Sequence, residues 1–221
     1  MPLTEISEVR RLAAPAGRPQ AIAFDGARLW IGSLVERKLY ALDPQRWTVE
    51  RSFDVPGLPY GLTPVDGELR ALLSVGEEDH RIVYHVDPVA GLRTADALTC
   101  PDDTGSHLSS DGERLYVSQW YNKKIVAVDA AGHAGATISL PHEICGHTRV
   151  DGRFYCVTTD DENSGRYFLT RVDAAGRSED LAAINFDARG LAFDGANFWT
   201  NHREAHQTVA FVIPSSSEGA R

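Results

Sequence analysis

His107 and His147 each stand four residues before an Asp-Gly pair, Asp111-Gly112 and Asp151-Gly152. Imidazole changes charge between pH 5 and 8, so two at equivalent places could serve as acid and base, or as ligands to a first-row metal. His202 could supply a third imidazole, and the three together could hold one divalent metal ion with open positions for water or substrate. Glu143, four residues before His147, adds a carboxylate suited to proton transfer. These four residues are the catalytic candidates, and His107, His147 and His202 are also the metal-ligand candidates.

Substrate-holding residues are expected near them: Gln20, Tyr60, Gln119, Trp120, Tyr121 and Arg189. Trp and Tyr suit stacking against a flat or apolar ligand, and Arg189 could grip a carboxylate in bidentate fashion. Each has a plainer reading. A lone histidine at a strand end is more often a hydrogen-bonded structural residue, and the weight here comes from two recurring at one place. Trp120 and Tyr121 could simply pack between neighbouring structural units. Cys145 precedes His147 by two residues, but a buried cysteine is commonly inert packing rather than a nucleophile. The acidic run Asp160-Asp161-Glu162-Asn163 has calcium-type oxygens without EF-hand spacing, which favours a solvated loop tip.

The elements that must position these residues come from a repeat. Asp25, Asp66, Asp111, Asp151 and Asp194 each precede a glycine, at spacings of about 40 to 45 residues, the length of a propeller blade. Each pair lies between two apolar runs, which predicts an antiparallel hairpin because glycine accepts the positive φ of a tight turn. Third strands ending on Asp follow at Asp43, Asp87, Asp129 and Asp173, and weaker fourth strands come after. The prediction is an all-β, five-bladed β-propeller of four-stranded antiparallel blades occupying residues 1 to 213. The last repeat lacks a fourth strand, and the segment Glu5 to Leu12 is expected to close the ring there. Residues 214 to 221 read as a disordered tail.

Trp30, Tyr116, Tyr155 and Trp199 recur in the second strand and are expected in the core. The Asp-Gly turns define one face of the ring, and the loops at the opposite ends of the inner strands define the other, called the top. Six of the eight histidines fall on that top face; His85 and His133 do not.

The phrase Asp25-Gly26-Ala27-Arg28-Leu29-Trp30-Ile31-Gly32, with Lys38-Leu39-Tyr40-Ala41-Leu42-Asp43-Pro44, resembles the repeat of the YVTN/SMP-30/streptogramin-lyase propellers. The chain also resembles five-bladed glutamine cyclotransferase-like proteins, over about residues 18 to 213. The resemblance implies a propeller with a small-molecule site on one face. Streptogramin lyases use His and Glu with magnesium, and SMP-30 lactonases hold a divalent metal with Glu, Asn and Asp. This chain matches neither set residue by residue, and the active-site motifs of the cyclotransferases are absent.

A net charge of -9 argues against nucleic acid or an anionic membrane as partner. No apolar run is long enough to span a bilayer, the first residues lack the pattern of a signal peptide, and three cysteines without CxxC spacing fit a reducing compartment, so a cytoplasmic location is expected. The expected ligand is a small molecule. Two functions follow: a lyase, hydrolase or isomerase with its histidines at the top mouth of the channel, or a non-catalytic propeller that binds a small ligand or protein partner through the same face.

Overall fold

The apolar runs flanking each Asp-Gly pair do pair antiparallel, in a computed structural model that describes residues 3–173 and 175–214. After β1 (Ser7–Ala13), the first blade is β2 (Pro19–Phe24), β3 (Leu29–Ser33), β4 (Lys38–Asp43) and β5 (Thr48–Asp54). The second is β6 (Leu58–Val65), β7 (Glu68–Val75), β8 (His80–Asp87) and β9 (Gly91–Thr99). The third is β10 (His107–Ser110), β11 (Leu115–Gln119), β12 (Lys124–Val128) and β13 (Ala134–Ser139). The fourth is β14 (Glu143–Val150), β15 (Arg153–Thr159), β16 (Tyr167–Val172) and β17 (Ser178–Ile184). The fifth is β18 (Ala188–Phe193), β19 (Phe198–His202) and β20 (Gln207–Val212).

Each blade is a four-stranded antiparallel sheet, and the fifth is completed by β1, in the order β1-β20-β19-β18. The pairing runs from Ser7 opposite Val212 to Ala13 opposite Gln207, so the chain start covers the edge that the last repeat leaves bare. Of the expected tail, residues 215 to 221 lie outside the described residues.

The Asp-Gly pairs make two kinds of turn. In the second and fourth blades Asp66 and Asp151 take φ of 52° and 49° and form two-residue hairpins with the following glycine. In the other three blades the loop is longer, and the aspartate has a second task. Asp25 Oδ1 accepts the N–H groups of Ala27 and Arg28, while Oδ2 accepts Trp30 Nε1 at 2.7 Å. Asp111 with Tyr116 and Asp194 with Trp199 repeat this arrangement. The aspartate therefore fixes both the turn and the aromatic residue five positions later.

The core consists of five apolar clusters, one at each blade interface. Trp30, Tyr116 and Trp199 are buried as expected, and Tyr155 is half-buried. Each fully buried Leu or Ile contributes about 1.5–3 kcal/mol, and because each cluster spans two blades, every blade draws on both neighbours.

At the axis the inner strands touch through glycine. A Cβ on Gly146 would sit 2.4 Å from Gly190 Cα, and one on Gly61 would sit 2.7 Å from Leu108 N. Both obstacles are backbone, which cannot swing aside. Gly146→Ala is therefore expected to lower stability by about 3 kcal/mol or more, read as a loss of melting temperature or of soluble protein. A melting temperature equal to that of the unmodified chain would mean that the axis is looser than described.

Candidate functional site

His107 and His147 do meet, as their equivalent positions predict. Each begins or lies within an inner strand, and each ring turns into the interface between the third and fourth blades. Their centroids are 5.5 Å apart in an edge-to-face arrangement, and His147 also meets the edge of Phe154 at 6.0 Å. The place differs from the expectation. Both residues are 0% exposed, so they fill the axis below the mouth instead of lining it.

Loss of hydration pushes His107 down to about 4, opposed by backbone hydrogen bonding around Leu108 and His147. Loss of hydration, followed by the neighbouring His107, holds His147 well below the ordinary histidine range. Both imidazoles are neutral at pH 7. His107 Nδ1 faces the His147 N–H at 3.5 Å, while His107 Nε2 and both ring nitrogens of His147 have no partner among the described residues.

His202 does not join them. Its register opposite Ala188 and Gln207 carries the ring outward, where it stacks on Phe186 at 4.9 Å and meets Arg11 at 3.3 Å. The three-imidazole centre expected from the sequence is not formed, and the described residues contain no group of three or more His, Cys, Asp or Glu side chains placed to hold a metal. The residues present do not fit the expected divalent ion. The other top-face histidines secure loops: His80 lies 2.5 Å from Asp103, His142 bridges Asp160 and Asp180, and His206 Nδ1 accepts the Arg18 N–H. Asp160 also pairs with Arg166, so the acidic loop is tied into the blade.

The upper rim is organised around Arg189. Its side chain leaves the start of β18 and is 2% exposed, and its guanidinium lies 4.8 Å from the Trp120 ring centroid and 5.2 Å from that of Tyr167. NH1 donates to the Tyr167 hydroxyl and the Ala188 carbonyl, both at 2.9 Å. Nε has no partner, and no carboxylate pairs with this cation among the described residues. Trp120 is held over it by one hydrogen bond, from Nε1 to Glu143 Oε2 at 2.8 Å. Tyr121 stands beside Trp120, 76% exposed; partial loss of hydration, then the charges of Glu162 and Glu143, push its phenol up.

The remaining candidates sit farther round the rim. Gln20 is buried, with its Oε1 accepting from Arg203 at 3.3 Å, and Tyr60 lies under the Arg81 guanidinium at 3.9 Å. Gln119 is buried and committed to the Pro101 carbonyl and Asn122, so it is a loop clamp and not a ligand-facing group. Cys145 is buried and its thiol is pushed up to about 12 by loss of hydration, which leaves it unreactive at neutral pH. Sequence reasoning missed Tyr167. The signal was present: the corresponding first positions of the other third strands hold Lys38, His80, Lys124 and Gln207, and an aromatic among them marks a buried departure.

No family model and no curated protein matches the chain. Solved structures do. Glutaminyl cyclase from Myxococcus xanthus superposes with a TM-score of 0.73 at 11% identity, over 96% of this chain and 98% of that one. Regucalcin, a calcium-binding protein from Agrobacterium tumefaciens, gives 0.60 at 13% identity, with 96% of each chain covered. Virginiamycin B lyase from Staphylococcus aureus, with quinupristin, gives 0.54 at 13% identity, over 92% of this chain and 72% of that one. These are propellers of the group the repeat resembles, and at such identities they show the fold alone. The chain is a five-bladed β-propeller.

The buried histidines set an acid limit. Their folded values lie below the unfolded value near 6.5, so their stabilising effect is complete above that pH and is lost as the pH falls toward 4. Each pH unit in that window costs up to roughly 1.4 kcal/mol per imidazole. His80, raised by Asp103, acts in the opposite sense and gains as the pH falls. The stability difference between pH 7 and pH 5, from urea unfolding, is expected to shrink in His107→Leu and His147→Leu. An unchanged difference would mean that the rings are hydrated in the folded protein.

Proposed function

We propose that the chain is a small-molecule enzyme of the lyase, hydrolase or isomerase type. It would work at the upper rim on a substrate that carries a carboxylate. Arg189 anchors that carboxylate, Trp120 and Tyr121 form the wall against which the rest of the substrate stacks, and Glu143 moves the proton. The observation that carries this reading is the buried guanidinium without a carboxylate partner among the described residues. A charge held that way costs several kcal/mol. Two aromatic faces return about 0.5–2 kcal/mol each, and a bidentate carboxylate would satisfy the rest. The neighbours named above include two enzymes, which agrees with an enzymatic reading without specifying the reaction.

His107 and His147, expected as catalytic groups, then act behind the site as neutral packing that seals the axis. A second reading, a non-catalytic propeller binding a carboxylate ligand through the same rim, is favoured by one observation. With the histidines buried, Glu143, which accepts from Trp120, is the one catalytic candidate left beside Trp120.

Calorimetry with benzoate and other aryl carboxylates, against benzamide as the neutral counterpart, tests both. Carboxylates are expected to bind and benzamide not to. Arg189→Gln is expected to weaken binding about 100-fold, with the melting temperature within about 3 °C of the original. Conversion of a bound carboxylate, lowered about 100-fold in Glu143→Gln with binding retained, is the enzymatic outcome; binding without conversion is the second reading. Failure of every carboxylate to bind removes Arg189 as an anchor.

A further inference from the structure

The lower face, which carries the Asp-Gly turns, has an opening of its own. Between the lower halves of the five inner strands lies a cavity of about 150 Å³. Leu62 and Leu108 close it on the side of the buried histidines, and Phe24 and Phe193 stand toward the turns. Of its lining residues one is charged, Arg149, and the others are apolar or carry hydroxyls.

Two polar groups in that wall are incomplete. Ser109 is 4% exposed and its Oγ has no partner among the described residues; Arg149 Nε is buried and has none among them either. The guanidinium is fixed in place by NH1 on Asp111 at 2.6 Å and by the ring faces of Tyr116 and Phe154 at 5.0 and 5.4 Å. Ser109 and Arg149 each stand two residues before their turn aspartate, in adjacent blades, where the first and fifth blades have Ala23 and Ala192. The two groups therefore enter one chamber from neighbouring strands. Thr63 and Thr148 add hydroxyl-bearing side chains to its wall. Each inner strand is also the edge of its sheet, so its axis-side backbone groups have no strand partner.

An unmet buried hydroxyl or N–H costs about 1–3 kcal/mol, and the chamber has the volume of about five waters. Asp111 pairs with the NH1 edge of Arg149, while Nε and the Ser109 hydroxyl stay unmet, and two such buried donors side by side match a compact anion. We propose that this chamber binds a small oxyanion of phosphate or short-carboxylate size, held by Arg149 Nε and Ser109 Oγ, independently of the upper rim.

The test is calorimetric titration of the full chain with inorganic phosphate and, separately, acetate, at matched ionic strength. One saturable site that persists in Arg189→Gln is expected for at least one of the two, and the stronger binder there shows whether the chamber favours a tetrahedral or a planar anion. Its affinity is expected to fall about tenfold in Ser109→Val and in Arg149→Gln, and to stay unchanged in Arg189→Gln. If Arg149→Gln does not fold, Ser109→Val, which takes part in no ion pair, decides alone. Absence of saturable binding by both anions overturns the proposal. So does undiminished binding in Ser109→Val, and loss in Arg189→Gln alone would put the anion at the upper rim.

Discussion

Five strands must meet around one axis, and the chain makes room for them only where a residue has no side chain. Gly146 lies on Gly190, and Gly61 lies on the backbone of His107 and Leu108. A Cβ on Gly190 would come within 3.3 Å of His107 Nε2, so the imidazole that meets His147 also borders the inner strand of the fifth blade. Steric closure at this level divides the axis into an upper rim and a lower chamber.

Burial acts differently on the two kinds of nitrogen base present. An imidazole that loses its hydration gives up its proton, so His107 and His147 remain as neutral, flat packing groups. A guanidinium cannot be deprotonated in a protein, so Arg189 keeps its charge under Trp120 and Arg149 keeps its charge under Tyr116 and Phe154. The fixed positive charges therefore lie above and below the buried histidines, and both proposed anion sites rest on them. That is the physical basis for assigning the upper rim to a carboxylate-bearing substrate.

The blades were legible in the sequence because each turn is local: Asp25, Asp111 and Asp194 bond residues at most five positions away, and Asp66 and Asp151 close two-residue hairpins with the next glycine. The closing role of β1 was legible because the last repeat visibly lacks a strand. Equivalence of His107 and His147 was also readable from their offset to the turn. Their burial was not, since it depends on how tightly the third and fourth blades pack, a long-range property. His202 was misplaced for a related reason: alternation along β19 turns its ring toward Phe186 and Arg11, outside the axis. The lower chamber went unread because Asp-Gly turns look alike in every blade, and only the residues two positions before them, Ser109 and Arg149, distinguish this opening.

The sealed axis is tested most directly by following the ring nitrogens of His107 and His147 with ¹⁵N NMR across a pH titration. The account predicts neutral imidazoles at pH 7, with His107 protonating only near pH 4 and His147 well below the ordinary histidine value. Titration of either ring near the ordinary value of about 6.5 would place it in contact with water and contradict the account.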